Sequence, residues 1–321
     1  MIKASVFASV LLLMIGCSPD GEPTNGDSGL DVLNGSWVLD AVNGDHDPMA
    51  LQISGAGGDE LSGTLLGAAG GRTQPFIDPK IVDGALSFKV ERLLDDGRKL
   101  CADSKVRVSG EQLRGSTTRD GWTWEWIGRR PDVIADRDDG SWADGERVVL
   151  FGKDADLSNW RELDEGEEGR WSGAGNVLEN EGSANTLASV DRFWNFRLHV
   201  EYGLPKNGNS GIGLRGRYEI QLYDDHGKPA GIHGNGALYS RIAPAVNATK
   251  VPGEWQAFDI TLIGRDLTVV LNGETLIDKG RIELTAMAID SCEAAPGPIL
   301  LQGDHGPVAF RNIVLTPLEK R

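Results

Sequence analysis

Arg215, Arg217, Glu219, Gln221 and Tyr223 occupy every second position of one short stretch. In an extended chain they would share one face, with neighbours about 6.6 Å apart. Guanidinium, carboxylate, amide and phenol in one line are hydrogen-bonding groups that suit a polyhydroxylated ligand. A carboxylate flanked by arginines stays ionised and can serve as a base. The alternate row, Ile212, Leu214, Gly216, Tyr218, Ile220 and Leu222, is what a core-facing side requires. A solvated outer face is the plainer alternative, although such faces favour Thr, Lys and Glu over this mixture. Just downstream, Asp224, Asp225 and His226, with His233 nearby, offer oxygen and imidazole ligands for a divalent cation. An acidic loop is the plainer account of those residues. Asn209 and Ser210 precede the stretch and either touch ligand or cap a loop. His199 alternates within an apolar strand and reads as structural.

Such a line of groups needs a rigid sheet behind it. Strands are expected at 147–151, 197–202, 212–223, 256–263, 267–271, 299–301 and 309–315, with no long helical period between them. Leu271-Asn272-Gly273-Glu274 signals a hairpin, because Asn-Gly suits the positive φ angles of a type I′ turn. The pattern predicts an all-β chain whose 145–317 region is a two-sheet jelly-roll sandwich. Residues 33–130 also alternate, as in Leu86-Ser87-Phe88-Lys89-Val90, with recurrent Asp-Gly turns at Asp83-Gly84 and Asp120-Gly121. They predict a small antiparallel barrel or sandwich. Trp122, Trp124 and Trp126 share a face there, as core or as a sugar platform. Residues 131–144 are acidic and turn-rich, and read as a linker.

The chain has 321 residues, 40% hydrophobic and 25% charged, which fits one large or two modest folded domains. Its formal charge of −16 repels phosphate backbones and argues against a nucleic-acid partner. Three cysteines are too few for a disulfide scaffold. Lys3 followed by an apolar run from Ala4 to Ile15 reads as a signal peptide over residues 1–16. Leu13-Met14-Ile15-Gly16-Cys17 resembles the lipobox of bacterial lipoproteins. That resemblance implies lipidation of Cys17, export, and a membrane anchor, with Ser18 favouring the outer membrane of a Gram-negative cell. Residues 17–32 then form a flexible tether. Cys101 and Cys292 either form a bridge, which an oxidising compartment allows, or, on the plainer reading, are two unpaired buried thiols.

One segment after another from 145 to 317 resembles the 3-keto-disaccharide hydrolase domain family. The resemblance rests on Asn209-Ser210-Gly211-Ile212, Leu214-Arg215-Gly216-Arg217-Tyr218-Glu219-Ile220-Gln221, Pro252-Gly253-Glu254-Trp255-Gln256, Asn272-Gly273, Gly297-Pro298-Ile299-Leu300-Leu301-Gln302, His305-Gly306 and Phe310-Arg311-Asn312-Ile313. The opening Phe151-Gly152-Lys153 departs from the family's usual Phe-Asp/Asn-Gly-Lys, and the first domain is not covered. The resemblance implies a concanavalin- and glucanase-like fold and cleavage of glycosides whose C3 hydroxyl is already a ketone. An upstream sugar C3 dehydrogenase would supply that substrate.

A C3 ketone acidifies the C2 proton, and its loss lets the C1–O bond leave by elimination; water then adds back. Such a site needs a base near C2, a donor for the enolate oxygen and an acid for the leaving oxygen. Glu219 and His305 are the implied catalytic pair, although His305 in its turn could simply bond backbone. Arg215, Arg217, Gln221, Tyr223, Asn209 and Gln302 are the implied substrate-binding set. Related jelly-roll glucanases carry Glu-x-Asp-x-x-Glu on one strand, where this chain has Glu219-x-Gln221-x-x-Asp224. A double-displacement glycosidase needs two carboxyls about 5–5.5 Å apart, so the change disfavours that route. No nucleotide cofactor is expected, because no nucleotide-binding glycine fingerprint is present, and a divalent cation stays open. A non-catalytic carbohydrate-binding lipoprotein is the alternative from another class.

Overall fold

The computed structural model describes residues 30–43, 49–67, 72–94, 97–163, 171–180, 182, 184–283 and 289–321. The signal peptide, Cys17 and most of the tether lie outside the described residues. Nearly all regular structure is strand. Among the described residues no helix is long and apolar enough to cross a membrane.

The first lobe comprises β1 (Gly35–Ala41), β2 (Met49–Ser54), β3 (Ser62–Leu66), β4 (Thr73–Pro75), β5 (Ile77–Val82), β6 (Ala85–Leu93), β7 (Lys99–Ser109), β8 (Gln112–Arg119) and β9 (Trp122–Arg129). The strands pair antiparallel in the order β4-β3-β2-β1-β9-β8-β7-β6-β5. Only Phe76 separates β4 from β5, so one bent strand starts against β3 and ends against β6. The meander thereby closes into an up-and-down barrel, which removes its edges. Asp83-Gly84 and Asp120-Gly121 make the tight β5–β6 and β8–β9 turns at positive φ, 50° and 70° in the first and 52° and 79° in the second. Trp124 and Trp126 point into the filled barrel with Trp37 and Phe88, whereas Trp122 stays 44% exposed at the rim. The indoles are therefore mainly core.

The second lobe adds β10 (Trp142–Asp144), β11 (Val148–Phe151), β12 (Trp160–Glu162), β13 (Trp171–Ala174), β14 (Val177–Asn180), β15 (Leu187–Ser189) and β16 (Phe196–Gly203). After these come β17 (Asn209–Leu214), β18 (Tyr218–Tyr223), β19 (Gln256–Ile263), β20 (Asp266–Leu271), β21 (Glu274–Arg281), β22 (Leu300–Leu301) and β23 (Val308–Lys320). A nine-stranded sheet runs β13-β14-β23-β16-β19-β20-β21, with β10 and β11 also on β23, and a five-stranded sheet runs β12-β15-β22-β17-β18. Ile212, Leu214, Ile220 and Leu222 from the smaller sheet meet Leu198, Val200, Phe258 and Phe310 from the larger in one core. Each such side chain contributes roughly 1.5–3 kcal/mol by leaving water. This is the expected sandwich, and Asn272-Gly273 turns β20 into β21 at φ 54° and 89°.

The segment expected as a linker is strapped to the second lobe. Asp136 Oδ2 accepts from Trp194 Nε1 (2.8 Å) and Asn195 Nδ2 (3.0 Å). The two lobes also touch directly, through Arg129 Nη2 to Ser291 Oγ (3.1 Å) and Thr73 N to Ser240 Oγ (3.2 Å). Cys101 and Cys292 are unpaired but exposed, so their expected burial is corrected.

Candidate active site

The stretch expected as one strand over 212–223 is a hairpin. β17 and β18 pair with Leu214 opposite Tyr218, leaving Arg215-Gly216-Arg217 as a three-residue loop. Arg215 and Gly216 take positive φ there, 53° and 67°. Because the loop has an odd number of residues, the alternation carries across it in register. Gly213 lies opposite Glu219, Gly211 opposite Gln221 and Asn209 opposite Tyr223, and opposite residues share a face. The even-numbered residues fill the core and the odd-numbered ones face outward, as the period predicts.

The loop itself obeys no such period, and the expectation that Arg215 and Arg217 bind substrate beside Glu219 is corrected. Both side chains are fully buried. Arg215 donates to Trp194 O (Nε, 2.6 Å), Gly264 O (Nη1, 2.8 Å) and Asn195 Oδ1 (Nη2, 3.1 Å). Its guanidinium also lies 3.9 Å from the Trp194 ring centroid. Arg217 is held by Asp290 Oδ1 (Nη2, 2.6 Å) and Ala295 O (Nη1, 2.9 Å). These contacts fix the hairpin end to the segments around it. Neither arginine is among the groups that set the ionisation of Glu219.

Glu219 instead sits almost sealed, 7% exposed, with its carboxyl over Gly211. Burial pushes its pKa up to about 7; His305 pulls it down and Asp304 pushes it further up. The ionised base expected from arginine neighbours is thus a carboxyl poised near neutrality. His305 belongs to the loop after β22. That loop is pinned by Gln302 N to Gly211 O (3.0 Å) and Ser210 Oγ to Gln302 O (2.9 Å). Asp304 Oδ1 holds His305 Nδ1 at 2.7 Å. This bond, with the charges of Asp304 and Glu219, raises the His305 pKa against a smaller opposing effect of burial. The second ring nitrogen is left to exchange a proton with a ligand.

Gln221 is buried and donates to Asn209 Oδ1 at 2.7 Å, while Tyr223 pairs with Asn209 at the hairpin base and lies under Lys228. Glu219, His305, Gln221, Asn209, Gln302 and Tyr223 therefore belong to one neighbourhood. Tyr239 joins them and was not visible in the sequence. It lies in an irregular loop with no period, and a single bridge between Ile220 and Leu238 brings it there.

Three of the four cation candidates, Asp224, Asp225 and His226, are engaged by protein groups. Asp225 accepts from Thr249 Oγ1 (2.7 Å) and Asn235 N (2.9 Å), Asp224 from Asn207 N (2.7 Å), and His226 Nδ1 contacts Thr249 O at 2.7 Å. These three organise the 224–250 loop and are committed to protein partners rather than converged on a cation. Among the described residues no group of three or more His, Cys, Asp and Glu side chains could hold a metal. His199 pairs with Asp259 at 2.7 Å on the outer face of the larger sheet, away from this site.

A Cβ built on Gly211 would come within 2.5 Å of Glu219 Oε1 and 3.1 Å of its Cγ. Gly211→Ala is therefore expected to displace the carboxyl by about 1 Å and lower kcat about a hundredfold, because reacting groups tolerate little misplacement. Thermal unfolding should change little. Steady-state kinetics beside a melting curve check both.

Residues 146–316 match the family model described as the 3-keto-alpha-glucoside-1,2-lyase-like domain. No curated protein matches the chain. Among solved structures, a Parabacteroides distasonis protein classed provisionally as a glycosyl hydrolase is 29% identical with a TM-score of 0.47, over 59% of this chain and 92% of that one. A second such protein of that organism is 26% identical with a TM-score of 0.43, over 54% and 100%. A carbohydrate-binding module from Bacillus subtilis is 14% identical with a TM-score of 0.34, over 50% and 96%. The family model covers more than half of the sequence, and the chain belongs to the carbohydrate-active family of 3-keto-alpha-glucoside-1,2-lyase-like domains.

Proposed function

We propose that this protein cleaves the glycosidic bond of 3-keto-glycosides by elimination and rehydration. Glu219 takes the C2 proton, and the electron pair moves onto the C3 oxygen as an enolate. The pair returns to form the C1–C2 double bond as the C1–O bond breaks, and His305 protonates the leaving oxygen. Water then adds its hydroxyl to C1 and a proton to C2, so the net change is hydrolysis. Gln221 and Asn209 bind and orient sugar hydroxyls. The observation that carries this reading is the buried Glu219 carboxyl on the face it shares with Gln221 and Asn209, within electrostatic reach of a His305 that Asp304 holds at 2.7 Å. A second acid on the same strand is lacking: Gln221 stands two positions on, and Asp224 is committed to Asn207. That disfavours the paired-carboxylate glucanase route.

The substrate class implies an upstream reaction that oxidises a sugar at C3. We propose further, from the Cys17 motif, an exported and lipid-anchored enzyme, which loss of lipid labelling in Cys17→Ser would support and unchanged membrane association in that variant would refute. Purified protein should release aglycone from 3-keto-glucosides and not from the parent glucosides. Release from the parents alone would restore the glucanase reading, and release from neither would favour a binding module.

A further inference from the structure

The chemistry above needs a donor for the enolate oxygen, and the buried Arg215 and Arg217 do not supply it. The register names another group. Tyr239 N donates to Glu219 O (2.9 Å), Gln221 N to Ala237 O (3.0 Å), and Leu238 bridges Ile220 between them. Leu238 faces the core with Ile220, so Tyr239, one residue on, shares the face of Glu219. Directly opposed residues in such a ladder hold their Cβ atoms about 5 Å apart. The phenol is held from the other lobe: Arg72, just before β4 of the barrel, donates from Nε to Tyr239 Oη at 3.2 Å. The next residue repeats the tie, Thr73 N to Ser240 Oγ. His233 lies with its ring 5.1 Å from that of Tyr239. Its Nε2 is enclosed and meets no protein hydrogen-bond partner among the described residues, which marks this wall as unfinished without a ligand.

We infer that the barrel lobe completes the active site, with Arg72 holding the Tyr239 phenol beside Glu219 so that its hydroxyl donates to the C3 oxygen as that oxygen becomes negative. This rests on the 3-keto-glycoside reading. The phenol oxygen already accepts from a cation, so its own proton is free for the substrate, and a charge-assisted bond on one side strengthens the donor on the other. No proton need be transferred. The hydrogen bond strengthens as the C2 proton passes to Glu219 and weakens when the electron pair returns to expel the C1 oxygen. Tyr239 touches the reacting atoms; Arg72 is a positioning residue that acts through it.

The test compares wild type, Tyr239→Phe, Arg72→Ala and the double variant on a 3-keto-glucoside, with melting curves for each. Losing one oxyanion donor lowers kcat about a hundredfold. Tyr239→Phe should show that loss with KM within about twofold of wild type. Arg72→Ala should lower kcat about tenfold, and should have no further effect once Tyr239 is Phe, because its action runs through the hydroxyl. Wild-type kcat in Tyr239→Phe, or an undiminished Arg72→Ala effect in the double variant, would overturn the inference while leaving the function standing. Absence of wild-type turnover would overturn the function and this inference with it.

Discussion

Glu219→Gln is expected to lower kcat on 3-keto-glucosides about a thousandfold, within the 10²–10⁴ range typical of a lost general acid or base. The amide keeps the shape and much of the hydrogen bonding of the carboxyl, so affinity should fall only modestly. A sugar-binding module would show that modest loss and nothing more. The pH profile of the wild type should carry the same signature. A base must be deprotonated, so kcat/KM should rise with pH through about 7, where burial has placed Glu219. It should fall again as His305, held protonated by Asp304, gives up its proton at a pH above the usual histidine value. Glu219→Gln should lose the rising limb. Folding stability separates this from misfolding. A buried carboxyl whose pKa is raised binds its proton more tightly in the native state, so the wild type loses stability as pH rises from about 4.5 to 7. Glutamine has no proton to lose, and the variant's stability relative to wild type should increase over the same interval.

Arg215→Ala is expected to destabilise the fold by about 3–5 kcal/mol, since it strands buried acceptors at Trp194 O, Gly264 O and Asn195 Oδ1 and empties a filled space. Catalysis per folded molecule should be little altered. Arg215→Lys should recover only part of the loss, because an ammonium cannot reach three divergent acceptors as the guanidinium fork does. Denaturant unfolding alongside kinetics decides the matter. An unchanged unfolding midpoint with a raised KM would return Arg215 to the sugar site.

Glu219 and Arg215 show what the sequence could and could not convey. Alternation from Ile212 to Leu222 correctly separated the core row from the face with Glu219 and Gln221. It did so because the loop between β17 and β18 has an odd length, so parity survived a turn that was not recognised. The turn was hidden because its first positive φ falls on Arg215, a residue that rarely adopts one, leaving Gly216 as its lone mark. The arginines therefore kept their place in the count but lost their place on the face. The Asp-Gly and Asn-Gly hairpins were legible because each has a glycine where the turn type requires it. Barrel closure was not, since it depends on one strand bending at Phe76 to reach both β3 and β6. Tyr239 was beyond reach for a different reason: a single bridge carries no period, and its partner Arg72 is 167 residues away.

The central claim is that Glu219 removes the C2 proton of an oxidised sugar before the glycosidic bond breaks. It is tested most directly by cleaving a 3-keto-glucoside in heavy water and examining C2 of the freshly released sugar, against a control for spontaneous exchange. Elimination and rehydration should deliver solvent deuterium to C2 whenever Glu219 exchanges its proton before water adds, a C2-deuterated substrate should be released more slowly, and Glu219→Gln should abolish both release and labelling. Release at full rate with the original hydrogen retained at C2 and no slowing by C2 deuteration would contradict the account.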